Sequence, residues 1–210
     1  MNTTIRNRRL LAFTLIELLT VIAIVSVIAV LAVPALSSLR GAGGITKTGS
    51  DIAGILEQAR GYAMAQNTYV WVGFRKEGLD TLVVGVIASK TGIADPSVDV
   101  AAISKLSRFE NVQLVSIPSS STRPGGSGVV SLASASSSPM TFTFPSPGVT
   151  FNQQVIQWNS RGEARLSPTQ LSKVVEIGLQ ASAGGTIRNS ENFVAIQING
   201  LSGSVSVYRP

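Results

Sequence analysis

From Phe13 to Leu36 every residue is apolar or small except Glu17, the only charge in the run. An α-helix rises 1.5 Å per residue, so about 22 such residues span roughly 33 Å, enough for a bilayer core. Arg6, Arg8 and Arg9 precede the run. Flanking cations of that kind keep the short leader on the cytoplasmic side and send the bulk of the chain outward. These features predict a hydrophobic transmembrane helix over 13–36 behind a short cytoplasmic leader, with the bulk of the chain facing outward.

Glu17 is the anomaly in that run. A carboxylate several positions inside an apolar helix costs about 2.5–3.5 kcal/mol on insertion scales, so it calls for a cationic partner. A free amine at the head of a neighbouring copy of the same helix would serve, and a cut just upstream would create one. The order Ala12-Phe13-Thr14-Leu15-Ile16-Glu17-Leu18 resembles the type IV prepilin and pseudopilin family. Its members carry a short basic leader, a small residue before the cut, a phenylalanine, and a glutamate four residues later. The resemblance implies a leader over 1–12, a transmembrane and assembly helix over 13–36, single-pass placement in the inner membrane with the C-terminal domain in the periplasm, and a prepilin peptidase that cuts between Ala12 and Phe13 and methylates the Phe13 amine. Glu17 would then pair with that amine on an adjacent subunit, and Pro34 matches a proline at which the family's helix kinks. Ala12 stands where the family usually has glycine.

Three other readings of the N-terminus stay open. Val33-Pro34-Ala35 could be the cleavage box of a secretory signal, although a carboxylate in the apolar region argues against it. Arg8-Arg9-Leu10-Leu11 faintly matches a twin-arginine signal. A plain uncleaved anchor would leave Glu17 unexplained.

Beyond Pro34, glycines at 41, 43 and 44 each weaken a helix by about 1 kcal/mol relative to alanine. A joint is expected there, with helix resuming near Asp51 as N-cap. Ile52, Ile55, Leu56, Ala59 and Ala63 recur at helical spacing. The joint and second helical segment occupy 37–67, and a β-rich periplasmic domain occupies 68–210. Alternating apolar residues predict strands at 70–74 and 81–88 as one hairpin, and at 155–158 and 163–166 as another. Further strands are expected at 111–117, 173–181, 193–198 and 204–208. Between Pro118 and Gly148, 19 of 31 residues are Ser, Gly or Pro. That composition reads as a long exposed loop with brief strand pieces at 129–132 and 140–144. The fold class is α+β: a long N-terminal hydrophobic, pilin-like helix followed by a mostly antiparallel β-sheet domain.

Two further patches resemble the H-type minor pseudopilin of type II secretion. One runs from Ile55 to Asn67. The other combines the Trp158-Asn-Ser-Arg-Gly162 turn with Ile196-Gln-Ile-Asn-Gly-Leu-Ser-Gly203. A pilin-like group found in gene cassettes of Verrucomicrobia-type bacteria is a second resemblance. Together they imply a structural, minor subunit of a type IV pilus or type II secretion pseudopilus. Its partners would be prepilin peptidase, other pilin or pseudopilin subunits and the inner membrane.

Composition narrows the rival classes. The chain has no cysteine and no histidine, which removes disulfides, thiol nucleophiles and the Ser-His-Asp arrangement. Of 17 basic and 11 acidic residues, 14 and 10 lie from Arg40 onward, scattered and not blocked. A nucleic-acid partner is not expected from so thin a footprint, although Arg188 and Arg209, with Tyr208 for stacking, are the residues a fibre-displayed DNA-capture module would use. Asp95, Asp99, Glu163 and Glu176 are the candidate acids of a membrane-anchored enzyme, but no partner motif accompanies them. The expectation is no catalysis, no metal and no cofactor, with Trp71 and Trp158 in the core.

Overall fold

The computed structural model describes residues 15–118, 128–134, 140–169, 171–187 and 189–209, with only the backbone described over 29–43. The chain divides into two compact units, Met1–Arg40 and Gly41–Pro210. Helix α1 spans Leu15–Ala65. Positions 41–44, where the glycines predict a joint, lie within its bounds.

The strand order is fixed by two six-stranded sheets. The first runs β10-β9-β1-β2-β3, built from Ala164–Arg165, Val155–Trp158, Val70–Glu77, Thr81–Ser89 and Val100–Ala102, with β4 (Ser107–Glu110) also pairing β2. The second runs β12-β11-β13-β14, from Thr186–Ile187, Val174–Ala183, Phe193–Asn199 and Val205–Tyr208. In it β5 (Val112–Val115) and β6 (Val129–Ser131) also pair β11, and the β6 pairing is parallel. A separate hairpin joins β7 (Thr141–Thr143) to β8 (Thr150–Asn152).

Period-two alternation decides what each face does. Val70, Val72 and Phe74 on β1, Val84 and Val86 on β2, and Ile156 and Trp158 on β9 share one core with Val175, Ile177 and Leu179 of β11 and Val194, Ile196 and Ile198 of β13. Helix α1 contributes Ile45, Ile52, Leu56, Ala59 and Ala63 to this core, a stripe at helical spacing. Gly49 lets the helix approach closely: a Cβ there would stand 2.6 Å from Val194 Cγ1. The opposite face of the first sheet is also buried. Trp71, Val83 and Ile87 pack with Phe142 and Phe151 of the β7–β8 hairpin. Gly73 and Gly85 lie directly opposite each other across β1 and β2. Together they form a floor for the Phe151 ring, since a Cβ on either would fall 2.6–2.8 Å from it.

Several expectations are corrected. The described chain is β-rich, with fourteen strands against α1 and one 3₁₀ turn (Leu132–Ser134), and the α+β class led by a long hydrophobic membrane helix does not hold. The described side chains at the start of α1, from Leu15 to Ile28, are all exposed. Among the described residues no helix is long and apolar enough to cross a membrane. The transmembrane character and the single-pass inner-membrane, periplasm-facing placement expected from the sequence are therefore not supported. Within the segment from Pro118 to Gly148, β6 and β7 fall inside the strand pieces expected at 129–132 and 140–144, and Leu132, Met140, Phe142 and Phe144 are buried. Residues 119–127 and 135–139 of that segment lie outside the described residues.

Candidate functional site

Two regions carry the residues singled out in the sequence. The first is the start of α1. Ala12 and Phe13, at the expected cut, and the whole 1–12 leader lie outside the described residues. Pro34 falls within the bounds of α1, and its side chain lies outside the described set. Glu17 sits in the first turn of α1, where the positive end of the helix dipole favours a carboxylate. Thr20 turns its hydroxyl back on the helix, donating to the carbonyls of Ile16 at 3.1 Å and Glu17 at 2.9 Å. Around them Leu15, Ile16, Leu18, Leu19, Val21 and Ile22 are each 47–77% exposed. Consecutive residues in a helix point in all directions, so the stretch is apolar on every side and not along one stripe.

The second region is a three-way junction in the Gly41–Pro210 unit. The sequence patches from Ile55 to Asn67, from Trp158 to Gly162 and from Ile196 to Gly203 meet there. Asn159 organises one turn, its Oδ1 accepting from the backbone N–H groups of Arg161 and Glu163 at 2.9 and 3.0 Å. Asn199 organises the other, its Oδ1 accepting from Leu201 and Ser202. The turns touch so closely that a Cβ on Gly203 would lie 1.9 Å from the Gly162 carbonyl oxygen. Gly203 and Gly162 also hold φ of +65° and +80°, a conformation glycine adopts without steric cost. Helix α1 closes the junction: Glu57 accepts from the Val205 N–H at 3.0 Å, and a Cβ on Gly162 would meet Met64 Sδ at 2.9 Å.

Glu163 is the electrostatic centre of this junction. Arg165 donates to it at 2.9 Å and Asn159 Nδ2 at 2.7 Å, and Arg161 lies 3.3 Å away. The Arg165 hydrogen bond, then that of Asn159, holds its carboxyl below the usual glutamate range. Asp80 is held low in the same direction by Ser182, with the Gly185 N–H and Gln113 adding to it.

The candidate acids have local partners instead of a shared site. Asp95 accepts from the N–H and hydroxyl of Ser97. Asp99 pairs with Lys90 at 3.0 Å. Glu176, buried on β11, accepts from Gln197 at 2.9 Å on the facing strand. Arg209 is also engaged: it donates to Thr46 on α1 and to Asn192 at 3.1 Å. Arg188 lies outside the described residues. Trp71 and Trp158 are fully buried.

Sequence reasoning missed a cleft of about 290 Å³ lined by Tyr69, Ala94, Gln157, Asn159, Arg161, Arg165 and Pro168. Its residues come from distant segments, and only the sheet register aligns them: Arg165 faces Gln157 across β10–β9, and Gln157 faces Trp71 across β9–β1. In the sequence, the one available signal was a glutamine set between Ile156 and Trp158 in an otherwise apolar strand. Comparison with known proteins gives no match: no family model, no curated protein and no solved structure is similar to this chain.

Proposed function

We propose that this chain is a structural subunit of a filament, of the type IV pilus or type II secretion pseudopilus kind, and that it assembles through the first turns of α1. The observation that carries this reading is the exposed stretch Leu15–Ile28, apolar on all sides with one carboxylate near its head. Such a helix is stable in water only when something covers it. The same stretch of several like subunits, packed side by side, covers it completely. Each chain would then bury Glu17, and a carboxylate among apolar side chains is most stable beside an opposite charge. The Phe13 amine of a neighbour, freed by a prepilin peptidase cut after Ala12 and methylated, supplies the opposite charge. The order Ala12-Phe13-Thr14-Leu15-Ile16-Glu17 supports that step through its resemblance to prepilins.

Nothing favours the DNA-capture reading over this one, since Arg209 spends its guanidinium on Thr46 and Asn192. The N-terminal residue of the mature protein, determined by mass spectrometry, tests the proposal. A chain starting at N-methylphenylalanine 13 is the expected result, and one starting at Met1 or Leu36 overturns it. Glu17→Ala is expected to be processed normally yet largely lost from isolated filaments.

A further inference from the structure

The cleft beside the junction is independent of the assembly reading. On the face of the first sheet that carries Trp71, apolar cover from the β7–β8 hairpin packs Trp71, Val83 and Ile87. Past Trp71, the same cross-strand row continues into polar residues, Gln157 and then Arg165. Gln157 is 4% exposed, and beside it Arg165 Nε is buried with no hydrogen-bond partner among the described residues. Buried N–H groups without a partner are rare in folded chains and point to a ligand or a water that supplies one. Tyr69 lines the cleft with an aromatic ring. Its ring stacks on Trp71 at 6.3 Å between centroids and 26° between planes, which fixes a flat wall.

The charged groups favour an anion of single charge. Glu163 occupies Nη2 of Arg165 and the Nε side of Arg161. The remaining Arg161 guanidinium nitrogens have no partner among the described residues, and its side chain is 75% exposed. Two arginines and one glutamate leave one positive charge over. A guanidinium fork matches a carboxylate in a bidentate manner, and the Gln157 amide supplies both a donor and an acceptor beside it. The volume is at the small end of ligand cavities and suits one residue-sized body.

We propose that the cleft formed by Tyr69, Gln157, Asn159, Arg161 and Arg165 binds a carboxylate carried on an aromatic or apolar body of about amino-acid size. That carboxylate is either a free small molecule or the C-terminal residue of a polypeptide. Calorimetric titration of the full chain tests this with N-acetylphenylalanine, its C-terminal amide, inorganic phosphate, and a tripeptide ending in phenylalanine. The acid is expected to bind saturably and the amide at least about tenfold more weakly. Arg161→Gln lies on the surface and leaves the fold intact; it is expected to weaken the acid by about tenfold, as is Arg165→Met if it folds. Equal binding of tripeptide and single residue identifies a polypeptide C-terminus, and preference for the single residue identifies a small molecule. The proposal is overturned if the amide binds as well as the acid, if phosphate binds more tightly, if Arg161→Gln changes nothing, or if no saturation appears by about 20 mM.

Discussion

Glu163 shows how one side chain holds several loops together. It accepts from Arg165 and from Asn159, whose own Oδ1 shapes the turn. Its folded carboxyl titrates below the usual value, so its contribution is present at neutral pH and is lost as pH falls through the folded pKa. Glu163→Gln should therefore melt lower than the parent at pH 7, by about 2–4 °C for a loss near 1 kcal/mol. The gap should close when both are melted near pH 2. Thermal melts across pH 2–7 measure it, and a gap that persists at low pH would assign the loss to packing instead of charge. Asp80, also held low, loses its contribution in the same direction, so Asp80→Asn should narrow the acid sensitivity further. Neither role was legible in the sequence. Glu163 was conspicuous only as an acid, and its arginine partners are two residues away on either side, a spacing common to any charged turn.

At the scale of elements, the floor of two glycines under Phe151 is the feature most open to test. Gly73→Ala places a methyl where the Phe151 ring lies, and overpacking of this sort costs about 1–3 kcal/mol. Phe151→Ala empties the site and costs about 3–5 kcal/mol. The pair should be non-additive: with Phe151 truncated, the added methyl of Gly73→Ala meets less, so its cost should shrink toward zero. Urea denaturation of the two singles and the double closes the cycle, and strict additivity would show that the ring and the glycine do not share this contact. The two hairpins, β1–β2 and β9–β10, were readable because apolar runs flank a turn signal, 75–80 in one and Asn159–Gly162 in the other. Strands β3, β4 and β8 were not, since short runs without such a signal carry too little pattern. In the Ser-, Gly- and Pro-rich segment the expected strand pieces at 129–132 and 140–144 contain β6 and β7, but which of its side chains are buried was not legible. Composition reported its average, whereas Leu132, Phe142 and Phe144 are isolated apolar residues that tertiary packing picks out.

For the whole molecule, the division of labour along α1 matters most. Its described core residues run from Ile45 to Ala63, whereas the side chains of Leu15–Ile28 are exposed. The run of apolar residues was plain in the sequence. What covers it was not, because a lipid tail and another helix of the same kind present equally apolar surroundings to a leucine. Stability and association should therefore separate. A chain of residues 41–210 keeps every described core side chain, so its melting temperature should stay within about 3 °C of the full chain, the shift expected for less than 1 kcal/mol. Paired substitutions Val21→Lys and Val25→Lys, on one side of the exposed stretch, should leave that temperature unchanged and abolish self-association seen by sedimentation velocity. Both sites are more than half exposed, so the lysines meet no fold constraint in the isolated chain. In an assembly they bring like charges into an apolar contact, where each unpaired ion costs several kcal/mol. A parent chain that stays monomeric at tens of micromolar, or a truncated one that melts far lower, would show that Leu15–Ile28 serves the domain instead of its neighbours.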